Sequence, residues 1–225
     1  MPASALDEAL AACAALAPQL AGVQPAADPA AQRRALLALS PALQAARLAV
    51  ARLEAVVDEP ARAEGRGDAL TGLADRAELA VAAATLARRY PDTPLMVLAA
   101  EVDHLRHVND AWSHATGDAV LQAVAGILRA QSRPQDVLAR ADANVFVVAL
   151  GGPVSTTRAL LVAERLRAAI EAHDWDAVAP GLRVTASIGV SARTPGEALD
   201  DALARAGVAL QECRRGGRNQ VRARP

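Results

Sequence analysis

The sequence predicts an α/β sandwich, a central sheet covered by helices, behind a small all-helical N-terminal region. Three observations carry this expectation. Apolar runs of strand length alternate with amphipathic stretches of helix length from about residue 68 onward. Two of the strand-like runs, within 137–150, are close enough to form a hairpin. Before that point the chain shows only helical periodicity, with no strand-like run.

Residues 3–57 read as helix, broken where an N-cap residue precedes a proline, at Asp28-Pro29 and Ser40-Pro41. Leu6, Leu10, Cys13, Ala17 and Leu20, and later Leu36, Leu39, Leu43, Ala46, Val50, Leu53 and Val57, recur at alternating spacings of three and four. Each series builds one apolar seam that needs a partner helix, in a bundle within residues 1–60 or in another subunit. A charged stretch with proline and glycine follows, and residues 61–67 read as linker. The second domain, 68–222, then reads as a helix near 75–89, a strand near 95–102 and a helix near 117–131. After the strand pair at 137–150 come a helix near 156–172, a strand near 183–190 and a last helix near 195–213. Phe146, the single phenylalanine, opens the apolar run Phe146-Val147-Val148-Ala149-Leu150, which reads as a buried strand.

Composition narrows the functional classes. With 24 basic and 25 acidic residues, the net charge of −1 gives no field to gather nucleic acid or an anionic membrane. Every basic residue is arginine, so an arginine alone is weak evidence of a site. Cys13 and Cys213 stand far apart, without the spacing of a zinc site or a disulfide framework. Asp7 and Glu8 stand where a secretory signal carries positive charge, and the apolar stretch there is broken by Pro18 and Gln19. The expectation is a cytoplasmic, soluble protein that binds neither nucleic acid nor membrane.

Several ordered motifs carry a family resemblance. They are Asp68-Ala69-Leu70-Thr71-Gly72-Leu73-Ala74-Asp75-Arg76; the run Glu101-Val102-Asp103-His104-Leu105-Arg106-His107-Val108-Asn109-Asp110, with His114, Gly117, Asp118 and Leu121; Val184 to Val190; and Gly217-Arg218-Asn219. This order resembles the GGDEF family, bacterial diguanylate cyclases that condense two GTP molecules into cyclic di-GMP across a homodimer. The resemblance covers about residues 68–222 and implies a nucleotidyl-cyclase-like sheet.

The family's defining turn, GG(D/E)EF, is Asp142-Ala143-Asn144-Val145-Phe146 here. Phosphodiester formation is phosphoryl transfer, which depends on positioning and on charge neutralisation by metal ions. The resemblance assigns metal ligation to positions occupied by Glu101, Asn144 and Val145. Glu101 keeps the charge on a longer stem, but an amide is a poor magnesium ligand and valine is none. The missing glycines suggest a second loss: alanine tolerates a left-handed turn poorly, and Asp142 adds negative charge. No catalytic residue is expected to operate and no metal to be held. Magnesium enters only with residual GTP binding or cyclase activity, and no cofactor is otherwise required.

Other parts of the substrate site persist. Asn109 and Asp118 match the guanine-reading positions of the family, and Arg214 and Arg218 match its triphosphate contacts. Helix capping is an equally available role for Asn109-Asp110 and for Asp118. Arg133-Pro134-Gln135-Asp136, ending six residues before Asp142, matches the family's RxxD inhibitory site in spelling and offset. Arg165 matches the helix position that adds a second arginine. Guanidinium pairs with guanine O6 and N7, stacks on the base and binds phosphate. Against this, an Arg/Asp pair is commonly a solvated surface ion pair. His104 and His107 are expected on a helix surface rather than in a zinc site, and Ser155-Thr156-Thr157 reads as a helix start.

The expected function is therefore a degenerate family member that binds cyclic di-GMP at Arg133, Asp136 and Arg165 and signals as a receptor. GTP would be a residual ligand, and a second copy or a partner protein would engage the N-terminal helices. The alternatives are an active diguanylate cyclase with an unusual metal shell and a nucleotide-independent interaction scaffold.

Overall fold

A computed structural model of the chain describes residues 67–224. The seams expected within 1–60, and all of the linker but Gly67, lie outside those residues.

The described elements are α1 (Arg76–Arg89), β1 (Leu95–Val102), α2 (Leu105–Ala111), α3 (His114–Gln131), β2 (Val137–Asp142) and β3 (Val145–Leu150), followed by α4 (Thr156–Glu171), a 3-10 turn (Trp175–Ala177), β4 (Ala186–Arg193), α5 (Leu199–Arg215) and β5 (Val221–Ala223). They form one five-stranded sheet in the order β2-β3-β1-β4-β5. All neighbours are antiparallel except β4 and β5.

The sheet is covered on both faces, and β1 shows why its sequence is an unbroken apolar run. Met96, Leu98, Ala100 and Val102 pack with α3 and α4 in the largest core cluster, together with Phe146, Val148 and Leu150 of β3. The alternate residues Leu95 and Val97 pack with Leu79 and Ala83 of α1, and Ala99 packs with Ala206 and Leu210 of α5. A strand with period-two side chains and helices on either side must be apolar at nearly every position.

Capping residues set the helix starts. Asp75 forms a reciprocal capping box with Glu78 at α1. Ser155 accepts from the Arg158 N–H at the start of α4, as the sequence suggested. At α3 the cap is Ser113, whose hydroxyl accepts from Thr116 N. Asn109 and Asp110 lie inside α2 and Asp118 lies beyond the first turn of α3, so none of them caps a helix.

Two boundaries differ from the sequence reading. The late strand starts at Ala186, not 183, because Thr185 uses its carbonyl and hydroxyl on Asp103 instead of a ladder. The last helix starts at Leu199, not 195, because the Glu197 carboxylate accepts from Thr194 N and Thr194 Oγ1 and closes a turn there. The short α2 and β5 carry too few residues for a periodic signal and were not anticipated.

Candidate functional site

The C-terminal end of β1 gathers the motif residues. Asp103, only 4% exposed, accepts through Oδ1 from Ser187 Oγ (2.8 Å) and through Oδ2 from Thr185 Oγ1 (2.8 Å) and Asn219 N (3.0 Å). One carboxylate thus ties β1 to β4 and to the Gly217-Arg218-Asn219 turn, where Arg218 and Asn219 take left-handed backbone. Asn219 is held a second way. Its Oδ1 accepts from Arg167 of α4 at 2.6 Å, and its Nδ2 donates to Glu171 at 2.8 Å.

Two residues earlier on β1, Glu101 meets Arg214 from the last turn of α5. The guanidinium donates through both Nε and Nη2 to the two carboxylate oxygens, with Nε–Oε1 at 3.1 Å. The Glu101 side chain is 12% exposed, whereas that of Arg214 is 47% exposed. The bonds to Glu101 push the Arg214 pKa further up.

The hairpin between β2 and β3 closes over Ala143 and Asn144, with Asp142 opposite Val145. Neither Ala143 nor Asn144 has positive φ, so the expected steric penalty of replacing the glycines is absent. Asp142 stabilises the turn, its Oδ1 accepting from Ala143 N at 2.7 Å. Arg140 donates to the Ala143 carbonyl at 2.6 Å. Asn144 faces the end of β1, its carbonyl accepting from Val102 N at 3.0 Å.

Asn109 lies over Gly117. Its Oδ1 is buried without a hydrogen-bond partner among the described residues, and a Cβ at position 117 would sit 1.8 Å from it. Glycine at 117 is therefore what lets the amide settle on α3, beside the exposed Asp118 that follows it. His107 is exposed on α2, as expected, but His104 precedes that helix with left-handed backbone instead of lying on its surface. Among the described residues, no three His, Cys, Asp or Glu side chains converge as a metal site.

A separate corner forms where α3 ends. Arg133 is exposed, and Arg165 reaches from α4 to donate to the Gln131 carbonyl at 2.7 Å. Arg165 is thereby tied to the last residue of α3, two residues before Arg133. Asp136 shapes that loop by accepting from Arg133 N (2.9 Å) and Gly151 N (3.0 Å). Each of its oxygens keeps one lone pair for a further donor.

A family model described as "Diguanylate cyclase, GGDEF domain" matches residues 66–220. The chain belongs to the GGDEF domain family. Diguanylate cyclase DgcP of Pseudomonas aeruginosa is 37% identical over 166 residues, covering 72% of this chain. This chain spans only 24% of DgcP's length and 34% of that of diguanylate cyclase A of Treponema denticola. Among solved structures, diguanylate cyclase SiaD in complex with its activator SiaC, from P. aeruginosa, is 27% identical with a TM-score of 0.68. That match covers 87% of this chain and 76% of SiaD. The GGDEF domain of DgcB from Caulobacter crescentus, solved with cyclic di-GMP, is 26% identical with a TM-score of 0.63, over 70% of this chain and 92% of that one. Among the described residues, no helix is long and apolar enough to cross a membrane.

Against the family's chemistry, this GGDEF domain does not fit a magnesium ion at the turn. Glu101 is engaged by Arg214, Asn144 offers an amide, and Val145 offers no ligand. The sequence placed Glu101 and Arg214 in two roles, metal and phosphate, whereas the structure binds them to each other. Arg218 stands in the turn that Asp103 fixes, four residues from Arg214. Asp103, Arg140 and Arg167 were missed as organising residues, because their partners lie 82–116, 72 and 52 residues away in sequence, respectively.

Proposed function

We propose that this GGDEF domain protein is a cytoplasmic receptor that binds cyclic di-GMP at Arg133, Asp136 and Arg165 and does not synthesise it. The observation that supports this reading is that Arg165 bonds to Gln131, two residues before the exposed Arg133, while the Asp136 carboxylate folds the loop between them and β2. Two guanidinium groups at one corner suit a ligand with two guanines and two phosphates, since each can pair with O6 and N7 or with phosphate. The turn supports the absence of synthesis, because Asn144 and Val145 supply no carboxylate where phosphoryl transfer needs charge-neutralising ions. Asn109 and Asp118 retain guanine contact, so a guanine nucleotide is a second ligand of the same domain. Output runs through residues 1–60 to a second copy or a partner protein; the complex of SiaD with an activator protein supports the latter.

Calorimetry with cyclic di-GMP tests the receptor. Binding at micromolar or tighter affinity is expected, with loss on Arg133→Ala and weakening on Arg165→Ala; no heat at saturating ligand sinks the reading. The naming of DgcP as a diguanylate cyclase favours a second reading, an active enzyme with an altered metal shell. Incubation with GTP and magnesium separates the two: accumulation of cyclic di-GMP establishes the enzyme, and its absence leaves the receptor.

A further inference from the structure

We infer that the Glu101–Arg214 ion pair sets ligand selectivity at the guanine-facing corner, so that it takes a guanine nucleoside or monophosphate without a divalent cation in preference to magnesium-bound GTP. This rests on the guanine-contact reading of Asn109 and Asp118. Of the two arginines matched to the phosphate end, Arg214 is taken up by Glu101, the carboxylate matched to the metal. Arg214 places two N–H groups on the two oxygens of Glu101, a bidentate arrangement that satisfies both the charge and the geometry of each partner.

A triphosphate must draw Arg214 away and leave Glu101, 12% exposed, without its counter-charge. A magnesium ion could accept that carboxylate, but it would find only an amide at Asn144 and a hydrocarbon at Val145. Magnesium gives up its water reluctantly for so few protein oxygens. Asp142 adds a further obstacle, since its exposed carboxylate at the hairpin repels a polyphosphate. The base end is built differently. The Asn109 amide lies over Gly117 with its Oδ1 buried and without a hydrogen-bond partner among the described residues, and Asp118, the next residue of α3, is exposed. Among the described residues no hydrogen bond occupies Asn109 Oδ1, whereas Arg214 at the phosphate end is occupied by Glu101.

The test is isothermal calorimetry on the full chain with guanosine, GMP and GTP, each with and without magnesium, repeated on Glu101→Gln. Guanosine and GMP are expected to bind at least as tightly as GTP, with magnesium leaving GTP unchanged. Glu101→Gln frees Arg214 and should raise GTP affinity about tenfold while guanosine affinity stays the same, the size of one charged hydrogen bond. Unchanged guanosine binding also shows that the variant is folded. The inference is overturned if magnesium tightens wild-type GTP binding tenfold beyond guanosine, or if Glu101→Gln shifts both ligands equally. It also falls if no guanine compound binds at millimolar concentration, which removes the guanine-contact reading with it. Arg133→Ala separates this site from the receptor corner, since it should abolish the cyclic di-GMP response and leave guanosine binding intact.

Discussion

Nη1 of Arg140 lies 3.1 Å from each carboxylate oxygen of Asp68, although the two residues are 72 positions apart. Asp68 also accepts from Thr71 N and Thr71 Oγ1, and Arg140 carries on to the Ala143 carbonyl. The opening motif of the domain and its hairpin turn are therefore one hydrogen-bonded unit. Asp68→Ala strands a guanidinium that is only 14% exposed and should cost about 2–3 kcal/mol in urea denaturation. A change below about 0.5 kcal/mol would show that the unit is only decorative.

Asp103 should be still less replaceable. Asp103→Ala leaves two hydroxyls and the Asn219 N–H without their shared acceptor, at a site 4% exposed. The expected loss is about 3 kcal/mol or more. Amide exchange at Asn219 should accelerate out of proportion to the global loss, and equal acceleration throughout the domain would contradict the assignment of Asp103 as a local tie.

The close approach of α5 to β4 makes a paired test possible. A Cβ on Gly189 would sit 2.1 Å from the Ala206 carbonyl oxygen, so Gly189→Ala must push a helix backbone off the sheet. It should cost about 2 kcal/mol or more. Gly207, one residue further along α5, has nothing within 4 Å of its Cβ position. Gly207→Ala should be neutral or stabilise by up to about 1 kcal/mol, since alanine favours helix interiors. Equal effects from the two substitutions would contradict the packing described for α5.

Acid should destabilise this domain below about pH 4.5. Arg205 beside Glu197, helped by the Thr194 N–H, holds the Glu197 carboxyl down at about 2, against an ordinary value of 4.5. A carboxyl lowered on folding contributes its stability in full above its unfolded value, and that contribution is lost as pH falls through the folded one. Asp68, Glu171 and Asp176 are displaced in the same direction. Tm should fall between about pH 5 and pH 2.5, and Glu197→Gln should flatten that fall. An unchanged slope in the variant would remove Glu197 from the account.

The helix and strand order was legible because β1 and β3 are apolar runs of strand length and α3 is a long amphipathic stretch, and Phe146 falls at 0% exposure where an apolar run placed it. The motif residues were legible as positions but not as relationships. Nothing in the run from Glu101 to Asp110 tells that Arg214 turns to Glu101, because the pair forms across 113 residues and depends on where α5 crosses the sheet. The hairpin misled in the other direction. Alanine in place of glycine implied backbone strain, yet a two-residue turn without left-handed backbone accommodates Ala143, and Asp142 binds the turn from within. Capping was the competing role for Asn109 and Asp118; Ser113, a residue without a part in the motif, takes the α3 cap, and Asn109 lies inside α2.

The bridge from Ala74 to Ala139 has a bearing on how copies of this domain can join. Ala74 N donates to the Leu138 carbonyl at 3.2 Å, and the Ala74 carbonyl accepts from Arg140 N at 2.8 Å, in the middle of the outer rim of β2. A strand from another molecule would find those groups already spoken for. The opposite rim is β5, a strand of only three residues. With one border strapped and the other cut short, the sheet offers little to templated strand growth. Self-association of this domain is thereby steered away from fibre-like stacking and onto its helical surfaces and loops.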